Sequence, residues 1–171
     1  MASGQCVVEI LSVIQPAASY ATPNIRAGGS TPAEAMPVYE FDDTTKEYLD
    51  FICRLSDDYD GGGLTFTLPW MAATATSGKA LWGIAIRAFP DDAEDQDAEH
   101  TYVFNEAADT AASAAGELSY PTIAFTNGAD MDSWAAGQIG IVRVYRHADD
   151  EADTMTGDAQ LLVAGLVGKE T

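Results

Sequence analysis

The chain has 171 residues, 47% of them hydrophobic and 20% charged, which is enough for one domain with a packed core. Eight Lys and Arg stand against 27 Asp and Glu, a formal charge of −19 at pH 7. A surface this negative repels nucleic-acid phosphate and anionic lipid headgroups, so neither nucleic acid nor a membrane is expected as a partner.

The first segment, residues 6–14 (Cys6-Val7-Val8-Glu9-Ile10-Leu11-Ser12-Val13-Ile14), is apolar. It has no basic flank and carries Glu9 in its middle, unlike a signal peptide, and it is too short to span a bilayer. Pro, Gly, Ser and Thr then dominate up to Pro32, so residues 1–35 read as an extended arm or linker. The apolar run is either a strand given to a neighbour or a strand completing the domain's own sheet. As an arm, it is expected to be removable without unfolding residues 36–171.

From residue 36 the hydrophobic period is two. Leu49, Phe51, Cys53 and Leu55 share one face of residues 48–55, with Asp50 and Arg54 on the other. Residues 64–70 and 81–89 alternate in the same way. Further strands are expected at 36–41, 100–104, 118–126, 138–146 and 160–167. Turn chemistry separates them: Asp57-Asp58-Tyr59-Asp60-Gly61-Gly62-Gly63, Thr76-Ser77-Gly78, Thr126-Asn127-Gly128 and Thr156-Gly157-Asp158. Residues 107–115 are Ala-rich and suit either a short helix or a small-residue loop. Eight antiparallel strands joined by long connections predict an all-β fold, an eight-stranded antiparallel jelly roll or β-sandwich. An immunoglobulin-like domain is the rival, usually shorter and with seven strands.

Catalytic chemistry is hard to locate. The histidines are His100 and His147, and no serine sits in a G-x-S-x-G elbow. The many carboxylates do not single out an acid–base pair. Cys6 and Cys53 have no metal-ligand spacing and do not make a disulfide framework. No catalytic residue and no cofactor are expected. The loop holding Asp91, Asp92, Glu94, Asp95, Asp97 and Glu99 offers calcium ligands but matches no calcium-loop pattern, so a solvated acidic loop is the expectation. Trp70 and Trp82 fall on inward strand faces. Trp134 lies in a connection and is the candidate exposed aromatic for binding a sugar, with Tyr145 as the alternative centre of such a platform.

The segments Glu47-Tyr48-Leu49-Asp50-Phe51, Tyr59-Asp60-Gly61-Gly62-Gly63-Leu64-Thr65-Phe66 and Trp70-Met71-Ala72-Ala73-Thr74-Ala75-Thr76-Ser77-Gly78-Lys79-Ala80-Leu81-Trp82 form a pattern with Thr122-Ile123-Ala124-Phe125 and Met131-Asp132, and with Arg143-Val144-Tyr145-Arg146 … Asp153-Thr154-Met155-Thr156-Gly157-Asp158-Ala159. Over residues 36–168 this pattern resembles small β-rich virion structural proteins of tailed bacteriophages and prophages. The resemblance implies a single jelly-roll domain in a virus particle. It suggests a capsid decoration (cement) protein, a homotrimer bound to the major capsid protein on the outer capsid surface and assembled in the host cytoplasm. Under it, Cys6, Val7, Val8, Ile10, Leu11, Val13 and Ile14 are candidate contacts with the capsid or a neighbouring subunit. The alternative is the knob of a tail or head fibre, or a glycan-binding adhesion module.

Overall fold

A computed structural model describes residues 5–171. Within them are twelve strands and two 3-10 turns, at Ala129–Met131 and Val163–Gly165. The strands are β1 (Val8–Ile14), β2 (Thr22–Gly28), β3 (Glu34–Phe41), β4 (Glu47–Leu55), β5 (Leu64–Thr67), β6 (Trp70–Ala72), β7 (Lys79–Phe89), β8 (Asn105–Thr110), β9 (Thr122–Phe125), β10 (Ile139–Arg146), β11 (Ala159–Leu161) and β12 (Val167–Glu170). One layer is a five-stranded sheet in the order β1-β4-β10-β7-β8. Facing it are a four-stranded sheet, β2-β3-β11-β6, and a three-stranded sheet, β12-β5-β9. All the strand pairs within these sheets are antiparallel. The β-sandwich expected from the alternating pattern is present.

The alternation explains the core. Leu49, Phe51, Cys53 and Leu55 of β4, Ile84 and Ile86 of β7, and Val142 and Val144 of β10 point inward from the large sheet. Phe41, Trp70 and Leu161, then Leu64, Phe66 and Phe125, meet them from the other layer. Trp82 joins the layers: its ring centroid lies 5.1 Å from that of Phe41 and 5.7 Å from that of Trp70, both edge-on.

Three expectations are corrected. First, residues 5–35, the described part of the expected arm, are not detached. β1 pairs with β4 and β2 with β3, while Val7, Val8 and Ala21 lie in the core. Removing them would open that core, so the segment is not expendable. Second, β8 lies at Asn105–Thr110, partly in the Ala-rich stretch, while residues 100–104 form an irregular connection. The alternation is visible once placed: Asn105, Ala107 and Asp109 face inward and Glu106, Ala108 and Thr110 outward. Asp109 accepts the indole N–H of Trp70 at 2.7 Å, a tertiary partner that overrides helix propensity. Third, Trp134 is buried (2% exposed), as is Tyr145. The indole of Trp134 packs over Gly140, where a Cβ would meet its ring at 2.9 Å, and its N–H donates to the Gln138 carbonyl at 3.0 Å. It is a core residue, not an exposed platform.

At the end of β10, Arg146 and Asp153 form an ion pair whose side chains are 0% and 1% exposed. Arg146 Nε and Nη2 donate to the two Asp153 oxygens at 2.9 and 2.8 Å. Its remaining donors reach the Gly157, Met155 and Phe41 carbonyls. Asp153 also accepts the backbone N–H of Leu81. One guanidinium thus fastens the 147–158 loop, β3 and β7 together. Breaking one side of a buried pair leaves the other charge uncompensated, at about 3–5 kcal/mol. Asp153→Ala is therefore expected to lower unfolding free energy by about that amount in urea titration, far more than Asp57→Ala, which breaks an exposed pair worth about 0.2–1 kcal/mol.

Candidate functional site

Two surface regions carry chemistry. The first is a groove of about 820 Å³ between the β2–β3 hairpin and the outer face of its sheet. Arg26, Pro32, Glu34, Met36, Met71 and Leu118 are among its lining residues. Arg26 on β2 is held from behind. Its Nη1 donates to Gln160 Oε1 at 2.8 Å and to the Ala73 and Ala72 carbonyls at 3.2 and 3.4 Å. Gln160 is itself oriented by Glu40, to which its amide donates at 2.6 Å. Gly116, at φ +85°, clears the other edge, where a Cβ would lie 2.4 Å from Arg26 Nη2. Four arginines hold carboxylates: Arg54 with Asp57, Arg87 with Glu94, Arg143 with Asp50 and Arg146 with Asp153. Arg26 holds none among the described residues. Sequence reasoning passed over it, although it is the single charged residue between positions 10 and 33.

The second region is the outer face of the five-stranded sheet, crossed by the 90–104 connection. Arg143 grips Asp50 through two 2.7 Å hydrogen bonds, and its guanidinium lies 4.2 Å from the Tyr102 ring centroid and 5.6 Å from that of Tyr48. Phe104 stands edge-on to Tyr145 at 4.1 Å. Arg87 pins the connection through Glu94 and the Asp95 and Ala98 carbonyls. Burial raises the Tyr48 and Tyr102 phenols above the ordinary tyrosine value. Glu106 accepts from the Tyr145 hydroxyl and meets His147 Nδ1 at 2.8 Å. Burial, then that carboxylate, pushes the Tyr145 phenol up. His100 lies 3.7 Å from Glu94 and 3.9 Å from Asp132. These contacts tether connections to the sheet.

The acidic loop considered as a source of calcium ligands is arranged for tethering too. Glu94 serves Arg87, and Asp95 accepts the Asp97 N–H. The carboxylates that converge are instead Asp42, Asp43 and Asp158, with oxygens within 4.8 Å of one another. Asp42 caps the turn through the Thr44 and Thr45 N–H groups, and Asp43 accepts from Gly157 N–H. Of the candidate arm contacts, Val7 and Val8 are buried and Ile10 and Val13 pack partly against the core. Leu11 (48%) and Ile14 (49%) are exposed. Cys6 is exposed and unpaired, and Cys53 is buried.

No family model and no curated protein matches the sequence. Among solved structures, the chain is similar to a carbohydrate-binding module, TmCBM27, described for specific mannan recognition. Identity is 8% and the TM-score 0.39, over 96% of this chain and 99% of that one. It is also similar to a family 11 carbohydrate-binding module from Clostridium thermocellum in complex with a β-1,3-1,4-mixed-linked tetrasaccharide. There identity is 12% and the TM-score 0.41, over 96% of each chain. Among the described residues no helix is long and apolar enough to cross a membrane.

Two outcomes follow. Burial pushes the Cys53 thiol up to about 12, so near neutral pH it stays a protonated, inaccessible thiol. A disulfide reagent is expected to label Cys6 alone in the native protein and both thiols in denaturant. Burial, with Glu40, Asp42 and Asp43 alongside, raises the Asp158 carboxyl above the ordinary aspartate value, and burial raises Glu47 in the same way. A raised folded-state pKa gives stability that is complete below the unfolded value and lost as pH rises through the folded one. Asp158→Asn is expected to flatten that fall in urea titrations across the acidic range and to be the more stable protein at neutral pH.

Proposed function

We propose that the chain is a non-enzymatic virion structural protein, a capsid decoration protein that binds the outside of the head lattice of a tailed phage. The observation that carries this reading is the placement of the surface apolar residues. Five of the eight exposed large apolar residues among those described, Leu11, Ile14, Tyr20, Ile25 and Met36, lie on β1, β2, β3 and the link between them, and Val103, Tyr120 and Ile139 are the others. The acids elsewhere hold loops or face water. Exposed apolar side chains on a charge-poor segment of an otherwise acidic domain suit burial against other protein. The segments that resemble phage proteins also make the framework: Trp70 and Trp82 centre the core, and Arg146 and Asp153 close its end.

A glycan-binding knob is the second reading. The observation favouring it is the set of half-buried rings Tyr48 and Tyr102 flanking the planar Arg143–Asp50 pair, the mixture of ring and oriented polar groups that sugars bind. The carbohydrate recognised by the two structurally similar modules belongs to those proteins.

Immunogold labelling and quantitative mass spectrometry of purified particles separate the readings. Decoration predicts labelling over the whole head, with copy number scaling with the major capsid protein. Labelling confined to a fibre or tail tip, with glycan-array binding lost in Tyr102→Ala, would replace it with the second reading.

A further inference from the structure

The groove and the exposed side of β1 are complementary. The groove is lined mainly by aliphatic and thioether side chains (Met36, Met71, Leu118, Pro32) without an aromatic ring; its charged lining residues are Glu34 at the rim-forming start of β3 and Arg26, the one arginine that holds no carboxylate among the described residues. Methionine surfaces adapt to apolar side chains. A guanidinium fixed through Nη1 presents its other edge ready for a carboxylate. β1 offers that combination outward. Register places Glu9 opposite Arg54 and Ile14 opposite Asp50 on the outer face, and Leu11 sits at the irregularity between Ile10 and Ser12. Glu9, Leu11 and Ile14 are all exposed.

Charge selects the occupant. Two copies at −19 repel each other over most of their surface, yet residues 10–33 carry a single charge, that of Arg26. This is where like chains can approach. Strand addition along β2 is blocked. Pro23 has no N–H, and the Ile25 N–H is taken by Asn24 Oδ1 at 2.7 Å. The contact therefore runs through side chains.

We propose that the groove of one copy receives the exposed side of β1 from a second copy, with the Glu9 carboxylate on the Arg26 guanidinium and Leu11 and Ile14 against Met36, Met71 and Leu118. Giving and receiving patches differ, so the contact is heterologous, and it closes into a ring where the rotation between successive copies permits. This rests on the assembly reading above.

Sedimentation velocity on the full chain tests it, with Glu9→Arg, Arg26→Glu and the double variant. The wild type is expected to form a closed oligomer larger than a dimer. Each single charge reversal is expected to weaken association by about tenfold or more, because like charges then face each other. The double variant should restore it. Arg26→Glu also loses structural hydrogen bonds, so circular dichroism checks its fold. Should it unfold, Glu9→Arg and Leu11→Asp, both at exposed positions, decide: lost association upholds the contact and unchanged association overturns it. A monomeric wild type at all concentrations, or folded single variants that are not rescued together, also overturns it. Head labelling in the particle experiment is independent of this result, so the contact can fail while decoration stands.

Discussion

The sandwich closes around the buried pair of Arg146 and Asp153. β10 runs through the middle of the large sheet, and its last residue turns a charged side chain into the interior. A guanidinium there is tolerable only if every donor has a partner. The 147–158 loop supplies Asp153 and the Met155 and Gly157 carbonyls, and β3 supplies Phe41 O. Position and partners therefore specify one another: the loop folds back because the arginine is buried, and the arginine can be buried because the loop folds back. The same geometry brings β11 alongside β3 and β6, placing Gln160 where it orients Arg26.

The other arginines repeat this on a smaller scale. Arg143 and Arg87 tie Asp50 and the 90–104 connection to the outer face of the large sheet, and Arg54 ties Asp57 at its rim. In a chain with few cations, each guanidinium sits where carboxylates and carbonyls would otherwise face each other. Arg26 departs from the pattern. Its hydrogen-bonded backing is neutral, made of carbonyls and an amide, and it lines the groove together with Glu34. That difference, with the largely aliphatic groove around it, sets Arg26 apart from the arginines that hold carboxylates.

Much of the fold was legible in the residues. The alternation of Leu49, Phe51, Cys53 and Leu55, and of Trp82, Ile84 and Ile86, is a direct imprint of a two-residue period on a half-buried strand. Where side chains are small, the imprint fades: the apolar residues of β8 are the adjacent Ala107 and Ala108, one on each face, and the strand became visible only through its pairing with β7 and the Trp70–Asp109 bond. Trp134 misled for the opposite reason. Loop position suggested exposure, but Gly140 removes the side chain that would have kept the indole off the sheet. The candidate site was less legible than the core, because a groove joins Arg26, Met71 and Leu118 from separate elements.

The sequence by itself determined the all-β class, the identity of most core residues and the acidity that restricts partners, because these follow from local periodicity and from net charge. The tertiary structure alone decided which carboxylate each arginine takes, that the N-terminal residues belong to two sheets, and that Arg26 is left facing a groove. Those facts depend on pairings between residues far apart in the chain, such as Arg26 with Gln160 and Asp50 with Arg143, and no local pattern encodes such a pairing.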